Sequence, residues 1–573
     1  MALPNKQSDE TRESIAKETN RDDVVRIERD ADETDEKGTL NALSSSPANG
    51  AENLQRCMKS RHIQMISIGG VIGTGLFLGT AGSLAKGGPL GLLMGYAIMG
   101  TVVWNVMASL GEMVAHLPIE GGHVTLARRF VGPSLSFTMG WNYWYNWAIV
   151  LPTEISASAV LVNYWTKSVN NAVWITIFLL IVGLINLGGA RFYAEFEFWF
   201  ASIKVVTIVG LIILGIILDA GGGPDHDAIG FRYWNNPGPF VQYLQIEGSL
   251  GRFLGFWAVL IQASFSYIGT EITAITAGEA KNPKKSLPSA IKGVAVRILL
   301  FYIMGVFVIG LLVPSNDPRL NLDSHDAASS PFVIAIQNSG IKTLPSIINA
   351  ALLSSAWSAA SSDMYTSSRA LHGLALAGNA PAIFKKTTSW GLPWLSLVVS
   401  FIIGFLAYMS VGVGSAGEVF GWLSTMTSVT GLLTWVGILI TYLRFDAGVK
   451  AQSFDRSQFP YKSQLRTVGA TYALVMCCLI LFFNSYTVFI NDHWNTADFI
   501  TGYFPIALAF ILYFSSQLYY RKTRQPYQII GLHQMDFYTD SRDESRDAEE
   551  DEDYGQKKTM LEKFKAVSGL LMI

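Results

Sequence analysis

Two short stretches hold the residue types best suited to chemistry. The first is "SIGGVIGTGLFLGT", Ser67 to Thr80, with five glycines among fourteen residues. It opens a long apolar region, yet glycine inside a helix is about 1 kcal/mol less favourable than alanine. A nucleotide-binding loop is excluded. Gly73-x-Gly75 would need glycine at 78, where Leu78 stands, and no βαβ pattern surrounds it. Two readings remain. Gly69 with Gly73, and Gly75 with Gly79, have the small-xxx-small spacing of packed membrane helices. Alternatively the helix is broken at 73–75, so that freed N–H groups and a positive dipole end face a carboxylate. Inside a bilayer such freed groups are tolerated only against protein or a polar cavity.

The second stretch, "FSYIGTEITAITAGEAKNP", echoes the first. Ile72-Gly73-Thr74-Gly75 recurs as Ile268-Gly269-Thr270-Glu271. Carriers place paired broken helices at the bilayer midplane in matching positions of two halves.

Charged residues inside apolar segments form the other candidate set. Each costs at least about 2.5 kcal/mol at the bilayer centre, so each should face the bundle interior. Lys204, in "FWFASIKVV", could alternate between charged and neutral forms during turnover, or could snorkel to the interface. Glu271 follows the second break and could relay protons or hold the frayed backbone. Glu154, in "LPTEISAS", lies in a polar patch with Thr153 and Ser156 and could line a pocket, partner a proton path or make a structural hydrogen bond. Glu112 and His116 read as an inner-gate or surface pair, and Asp363 and Arg369 as structural. The eight histidines show no H-E-x-x-H or paired metal spacing, and no Ser–His–Asp set emerges. Cys57, Cys477 and Cys478 read as free thiols.

The elements that must position these residues are membrane helices. Half the 573 residues are hydrophobic and 15% are charged, against about a quarter in soluble proteins. The net charge of −2 carries no nucleic-acid signal. With about 20 apolar residues per crossing, twelve spans are expected, near 63–84, 90–116, 134–165, 172–189, 195–218, 252–278, 293–314, 345–378, 393–413, 418–443, 467–490 and 499–520. The eighth is rich in serine and should face protein or water. Lys and Arg in the connecting segments number seventeen on the side of the termini and five on the other, which places both termini in the cytosol. No secretory signal is evident at the start, so the first span should direct insertion. Residues 1–60 and 525–573 read as disordered tails by composition. The acidic run "ESRDAEEDED" reads as solvated charge, and "MLEKFKAVSGLLMI" as a short amphipathic helix or a frayed end.

"GGVIGTGLF", "SLGEMVAHLP", "FWFASIKVV", "FSYIGTEITAITAGEAKNP" and "RALHGLALAGNAPAIF" together closely resemble the fungal amino acid permeases (YAT type) of the amino acid–polyamine–organocation superfamily, over residues 55–520. The resemblance implies an all-α, twelve-helix, five-plus-five inverted-repeat (LeuT-like) fold and proton-coupled amino acid uptake at the plasma membrane. Repeat one would cover about 61–219, repeat two about 252–443, and helices 11–12 about 467–520. These form a transporter domain at 61–520, between cytosolic tails at 1–60 and 521–573. The chain ends "GLLMI", unlike the aromatic-Trp-Cys palmitoylation signal of many fungal members.

On that alignment the Thr74 and Gly75 amides and the Thr74 hydroxyl receive the substrate carboxylate. The carbonyls of Val71, Phe265 and Ile268 receive its ammonium group. Ile72, Gly73, Ser266, Gly269 and Thr270 complete the expected substrate-binding set. Phe265 is a candidate gate or an ordinary core ring. The resemblance makes Lys204 the expected proton site, because sodium-driven relatives hold an ion there, and Glu271 and Glu154 join it as proton-coupling candidates. No counter-charge stands near Phe265, which favours neutral or broad substrates. The alternative is an amino-acid sensor with little net transport, disfavoured by tails of ordinary length. A membrane-embedded enzyme lacks a convergent catalytic set, and no cofactor is expected. Expected partners are the amino acid, protons, the lipid bilayer and ubiquitin ligase adaptors on the tails.

Overall fold

In a computed structural model the residues described are 69, 72–119, 121–166, 168–274, 283–320, 330–411, 416–490, 493–524 and 528–539. Val71, the amphipathic 560–573 segment, and the N-terminal tail lie outside them. Among the described residues the chain is helical, and the sole β feature is an isolated bridge between Ala220 and Ala228. Among the described residues seven helices are long and apolar enough to cross a membrane: Gly79–His116, Phe192–Asp219, Gly248–Ala274, Ala290–Leu312, Trp394–Val411, Gly417–Ala451 and Thr496–Lys522. Asn171–Leu187 and Arg466–Phe482 are shorter apolar helices.

The chain enters through α1 (Thr74–Phe77), which runs through Leu78, itself right-handed helical, into α2 (Gly79–His116). A connection between the first two spans was expected near residues 85–89. The structure has a kink there instead. Gly88 takes φ 72° and precedes Pro89, so two helical pieces meet without a loop. A Cβ at Gly88 would lie 2.7 Å from the Pro239 carbonyl oxygen, which leaves room only for glycine.

Then follow α3 (Gly122–Phe130), α4 (Pro133–Val162), α5 (Asn171–Leu187), α6 (Gly189–Asp219) and α7 (Gly248–Tyr267). Next, α8 (Pro283–Arg297) passes through a π-helical stretch, Ile298–Ile303, into α9 (Met304–Leu312). The remaining long helices are α10 (Pro331–Asn338), α11 (Leu344–Leu376), α12 (Trp394–Gly404), α13 (Ala416–Ala451), α14 (Arg466–Phe482) and α15 (Thr496–Lys522).

The most extensive helix pairs are α2 with α7 and α4 with α11. The serines that make α11 polar are turned inward: Ser355, Ser358, Ser361, Ser367 and Ser368 are all buried. Small hydroxylated side chains let helix backbones approach and bond across the contact. Asn349 of α11 donates to the Leu161 carbonyl of α4 at 2.8 Å, and Ser361 meets Asn186 of α5 at 3.1 Å.

Residues 525–573 read as a disordered tail, but within them 528–539 pack against the helix ends. The Ile530 amide donates to Val131 at 3.0 Å, and Gln452 donates to the Leu532 and Met535 carbonyls at 2.9 Å. Met535 and Phe537 are buried, Phe537 against Phe130, Phe445 and Phe454. Two apolar anchors in a polar stretch are enough to dock it, and a composition window averages them away.

Candidate functional site

Gly73 is extended (φ −130°, ψ −158°), and helical geometry starts at Thr74. A helix N-terminus therefore falls at Thr74, among the residues of the first glycine stretch, and its amide is one of the donors that a helix start leaves open. A side chain takes up that donor. The Glu154 Oε1 atom of α4 accepts from the Thr74 amide at 3.3 Å and from the Thr74 hydroxyl at 3.0 Å. Glu154 is 4% exposed, and its Oε2 accepts no hydrogen bond among the described residues. A Cβ on residue 73 would come within 2.8 Å of Glu154 Oε1, so the missing side chain is what admits the carboxylate. Ile72 is buried, and its carbonyl accepts from Ser355 at 3.3 Å.

The second break is equally local. α7 ends at Tyr267, Ile268 turns to ψ 146°, and Gly269 takes φ +86°. That left-handed conformation suits glycine. The Phe265 carbonyl accepts from the Ile268 amide at 3.3 Å and keeps one lone pair. Thr270 caps the turn, its hydroxyl donating to the Tyr267 carbonyl at 2.6 Å while accepting from Arg297 at 2.8 Å. Glu271 accepts from the Trp435 indole at 3.2 Å and is buried beside the break. The two broken stretches touch at Gly75, where a Cβ would lie 2.8 Å from the Ser266 Cα. Ser266 itself meets Tyr96 hydroxyl to hydroxyl at 2.8 Å.

A cavity of about 120 Å³ opens between these elements. Of the expected residues it brings together Gly73, Gly75, Glu154, Phe265, Ser266 and Ile268. Ile72, Thr74, Gly269, Thr270, Glu271 and Lys204 are not among the lining residues; Thr74 reaches the wall through its bonds to Glu154. Phe265 is 6% exposed and meets Phe420 edge-on at 6.0 Å between centroids. Trp147 and Thr427 add wall from α4 and α13, and Tyr193 and Tyr365 stack at 3.9 Å on the far side.

Lys204 does not snorkel. It is 1% exposed, about 15 residues and so roughly 22 Å into α6. Its ammonium lies 3.5 Å from Glu197, and both side chains are fully buried. Glu197 also accepts from Ser358 at 2.9 Å. Glu197 was missed. The available signal was a second charge in an apolar span, two helical turns before Lys204 on the same face.

Two further readings are corrected. Asp363, read as structural, lines the cavity, is 4% exposed, and its Oδ2 accepts no hydrogen bond among the described residues. Arg369 keeps a structural place, its guanidinium 3.2 Å above the Tyr365 ring. Glu112 and His116 do not pair with each other. Glu112 binds Arg456 at 2.7 Å, and His116 meets the Phe537 carbonyl at 3.0 Å. One helical turn separates them, but their partners come from different segments.

Comparison with known proteins adds an independent line. Residues 62–528 match the family model described as amino acid permease. The chain is 43% identical over 503 residues to the dicarboxylic amino acid permease of Saccharomyces cerevisiae, covering 87% of this chain and 82% of that one. It is 42% identical over 471 residues to the lysine-specific permease of the same yeast, covering 82% and 76%. It is 41% identical over 473 residues to the proline-specific permease of Emericella nidulans, covering 82% and 86%. Among solved structures, a manganese transporter of Eremococcus coleocola superposes with TM-score 0.48 at 13% identity, over 83% of this chain and 99% of that one.

Proposed function

The chain belongs to the amino acid permease family, and from that premise we propose that it imports amino acids across the plasma membrane together with protons. The family is one of transporters rather than enzymes, and the apolar helices make this a multi-pass membrane protein. One observation carries the mechanistic reading: the break before Thr74 and the break after Tyr267 border the same buried cavity.

In this reading the substrate carboxylate takes the Thr74 and Gly75 amides and the Thr74 hydroxyl. Its ammonium takes the carbonyls of Phe265 and Ile268, with Val71 contributing from outside the described residues. Main-chain groups recognise what all amino acids share, and the surrounding side chains select among them. Phe265, braced by Phe420, closes over the substrate and excludes water. Lys204, Glu154 and Glu271 are the residues that couple transport to protons. Coupling follows if the loaded, protonated carrier reorients more readily than half-loaded forms.

The architecture proposed is twelve spans in two inverted sets of five plus two, with both termini cytosolic. The pairing of α4 with α11, the third and the eighth expected spans, supports it, since these are five apart. The proposed range is neutral or broad. No Lys or Arg lines the cavity among the described residues, so an acidic side chain finds no counter-charge there. The relatives above carry different substrates in their names at nearly equal identity, so overall identity does not choose among them. The tails that would receive ubiquitin ligase adaptors lie largely outside the described residues.

The test is uptake of labelled amino acids into proteoliposomes under an imposed pH gradient, with unlabelled competitors to set the range. Accumulation driven by external acid is expected, and it should vanish when the gradient collapses. Uptake indifferent to the gradient would reject proton coupling. Binding without accumulation would make the protein a sensor.

A further inference from the structure

The Glu154 carboxylate occupies the donors assigned above to the substrate. Its Oε1 accepts both the amide and the hydroxyl of Thr74, at 3.3 and 3.0 Å. Its other oxygen, Oε2, is buried and accepts nothing among the described residues, and Glu154 is one of the residues that line the cavity. One carboxylate thus shows two unlike oxygens, one fully used and one unused. Gly73 keeps the approach open, because any Cβ there would crowd Oε1.

We propose that Glu154 is an internal stand-in for the substrate carboxylate, displaced from Thr74 by the arriving amino acid and discharged by a proton as it leaves. The inference rests on the assignment of Thr74 as the carboxylate donor. Two carboxylates cannot share the same amide and hydroxyl protons. Once displaced, Glu154 would be a buried charge without donors, a situation proteins resolve by neutralising the group. The surroundings do not supply the missing charge. Lys204 and Glu197 of α6 and Asp363 of α11 are charged groups that act on this corner, alongside the tyrosines Tyr193 and Tyr365, the latter's ring holding the Arg369 guanidinium. Lys204 is already committed to Glu197. Three carboxylates therefore face one ammonium, and a substrate carboxylate makes a fourth. Its own ammonium offsets only itself. The balance is simple: Glu154 passes from –COO⁻ to –COOH, the proton coming from the solution on the side to which the cavity is open. No bond other than O–H forms, and the proton leaves when Glu154 returns to Thr74. Coupling then follows from competition for one set of donors.

The test is calorimetric titration of the purified full-length protein with each of the common amino acids, in two buffers of different ionisation enthalpy, from pH 5 to pH 8. For the wild type, one proton should be taken up per amino acid bound above the range where Glu154 titrates, and the apparent Kd should rise about tenfold per pH unit there. Glu154→Gln should bind with no proton uptake and a flat pH profile, because the amide keeps the shape and has no proton to gain. Proton uptake unchanged in Glu154→Gln would overturn this inference, assign the proton to another group, and leave the Thr74 site standing. Wild-type binding with no proton uptake at any pH would also overturn it, without relying on any variant. Failure of every amino acid to bind would remove the Thr74 assignment and this inference with it.

Discussion

Two buried charged clusters in this molecule are built from the same residue types and arranged in opposite ways. At the helix ends near residue 456, every carboxylate oxygen is engaged. Glu112 accepts from the Arg456 Nε at 2.7 Å, the Tyr442 hydroxyl at 2.6 Å and the Ser463 amide at 3.0 Å. Asp446 accepts from the Arg456 Nη1 at 2.5 Å, Thr467 at 2.7 Å and Lys450 at 2.6 Å. Burial alone would disfavour the Arg456 charge. Its bond to Asp446 and the attraction of Glu112 outweigh that and hold the guanidinium above its ordinary range. At the cavity, by contrast, Glu154 Oε2 and Asp363 Oδ2 are both buried and both lack a donor among the described residues. A buried polar atom without a partner is costly, and a fully connected network is not. The completed cluster therefore holds helix ends and loop together. The incomplete one keeps acceptors in reserve for something that comes and goes.

Substitutions can break this contrast, and the largest effect should come at the cavity. Thr74→Trp removes the hydroxyl and fills the approach, so uptake should be abolished while surface protein is unchanged, as read by labelled uptake and surface biotinylation. Normal uptake would take the working role away from the cavity cluster. Next in size is Arg456→Met, which removes from Glu112 and Asp446 the guanidinium they share. Removing one partner of a buried pair costs about 3 kcal/mol or more, so thermal unfolding in detergent should shift down clearly. Smallest is Asp363→Asn. Its Oδ2 has no hydrogen bond to lose, so unfolding stability should move by less than about 1 kcal/mol in either direction. If Asp363→Asn destabilised the protein as much as Arg456→Met, the distinction between the two clusters would fail.

Much of the scaffold was legible in the chain. Gly73 and Gly269 mark the interruptions read from the chain, because backbone freedom is a property of single residues. Lys204 announced itself as buried, because a charge in an apolar run has few places to go. Other parts were hidden by averaging. The docked segment 528–539 rests on Met535 and Phe537, two anchors within a polar stretch.

The sequence by itself determined that the chain is built of apolar helices, that one of them is interrupted at Gly269 and that Glu154, Lys204 and Glu271 are interior. Those properties follow from local hydropathy and local backbone conformation. Only the tertiary structure decided which partner each interior charge meets: Glu154 with Thr74 across 80 positions, Ser358 with Glu197 across 161, Glu112 with Arg456 across 344. Such pairs leave no periodic trace along the chain, because they depend on how helices are rotated and stacked against each other. The functional reading turns on those contacts.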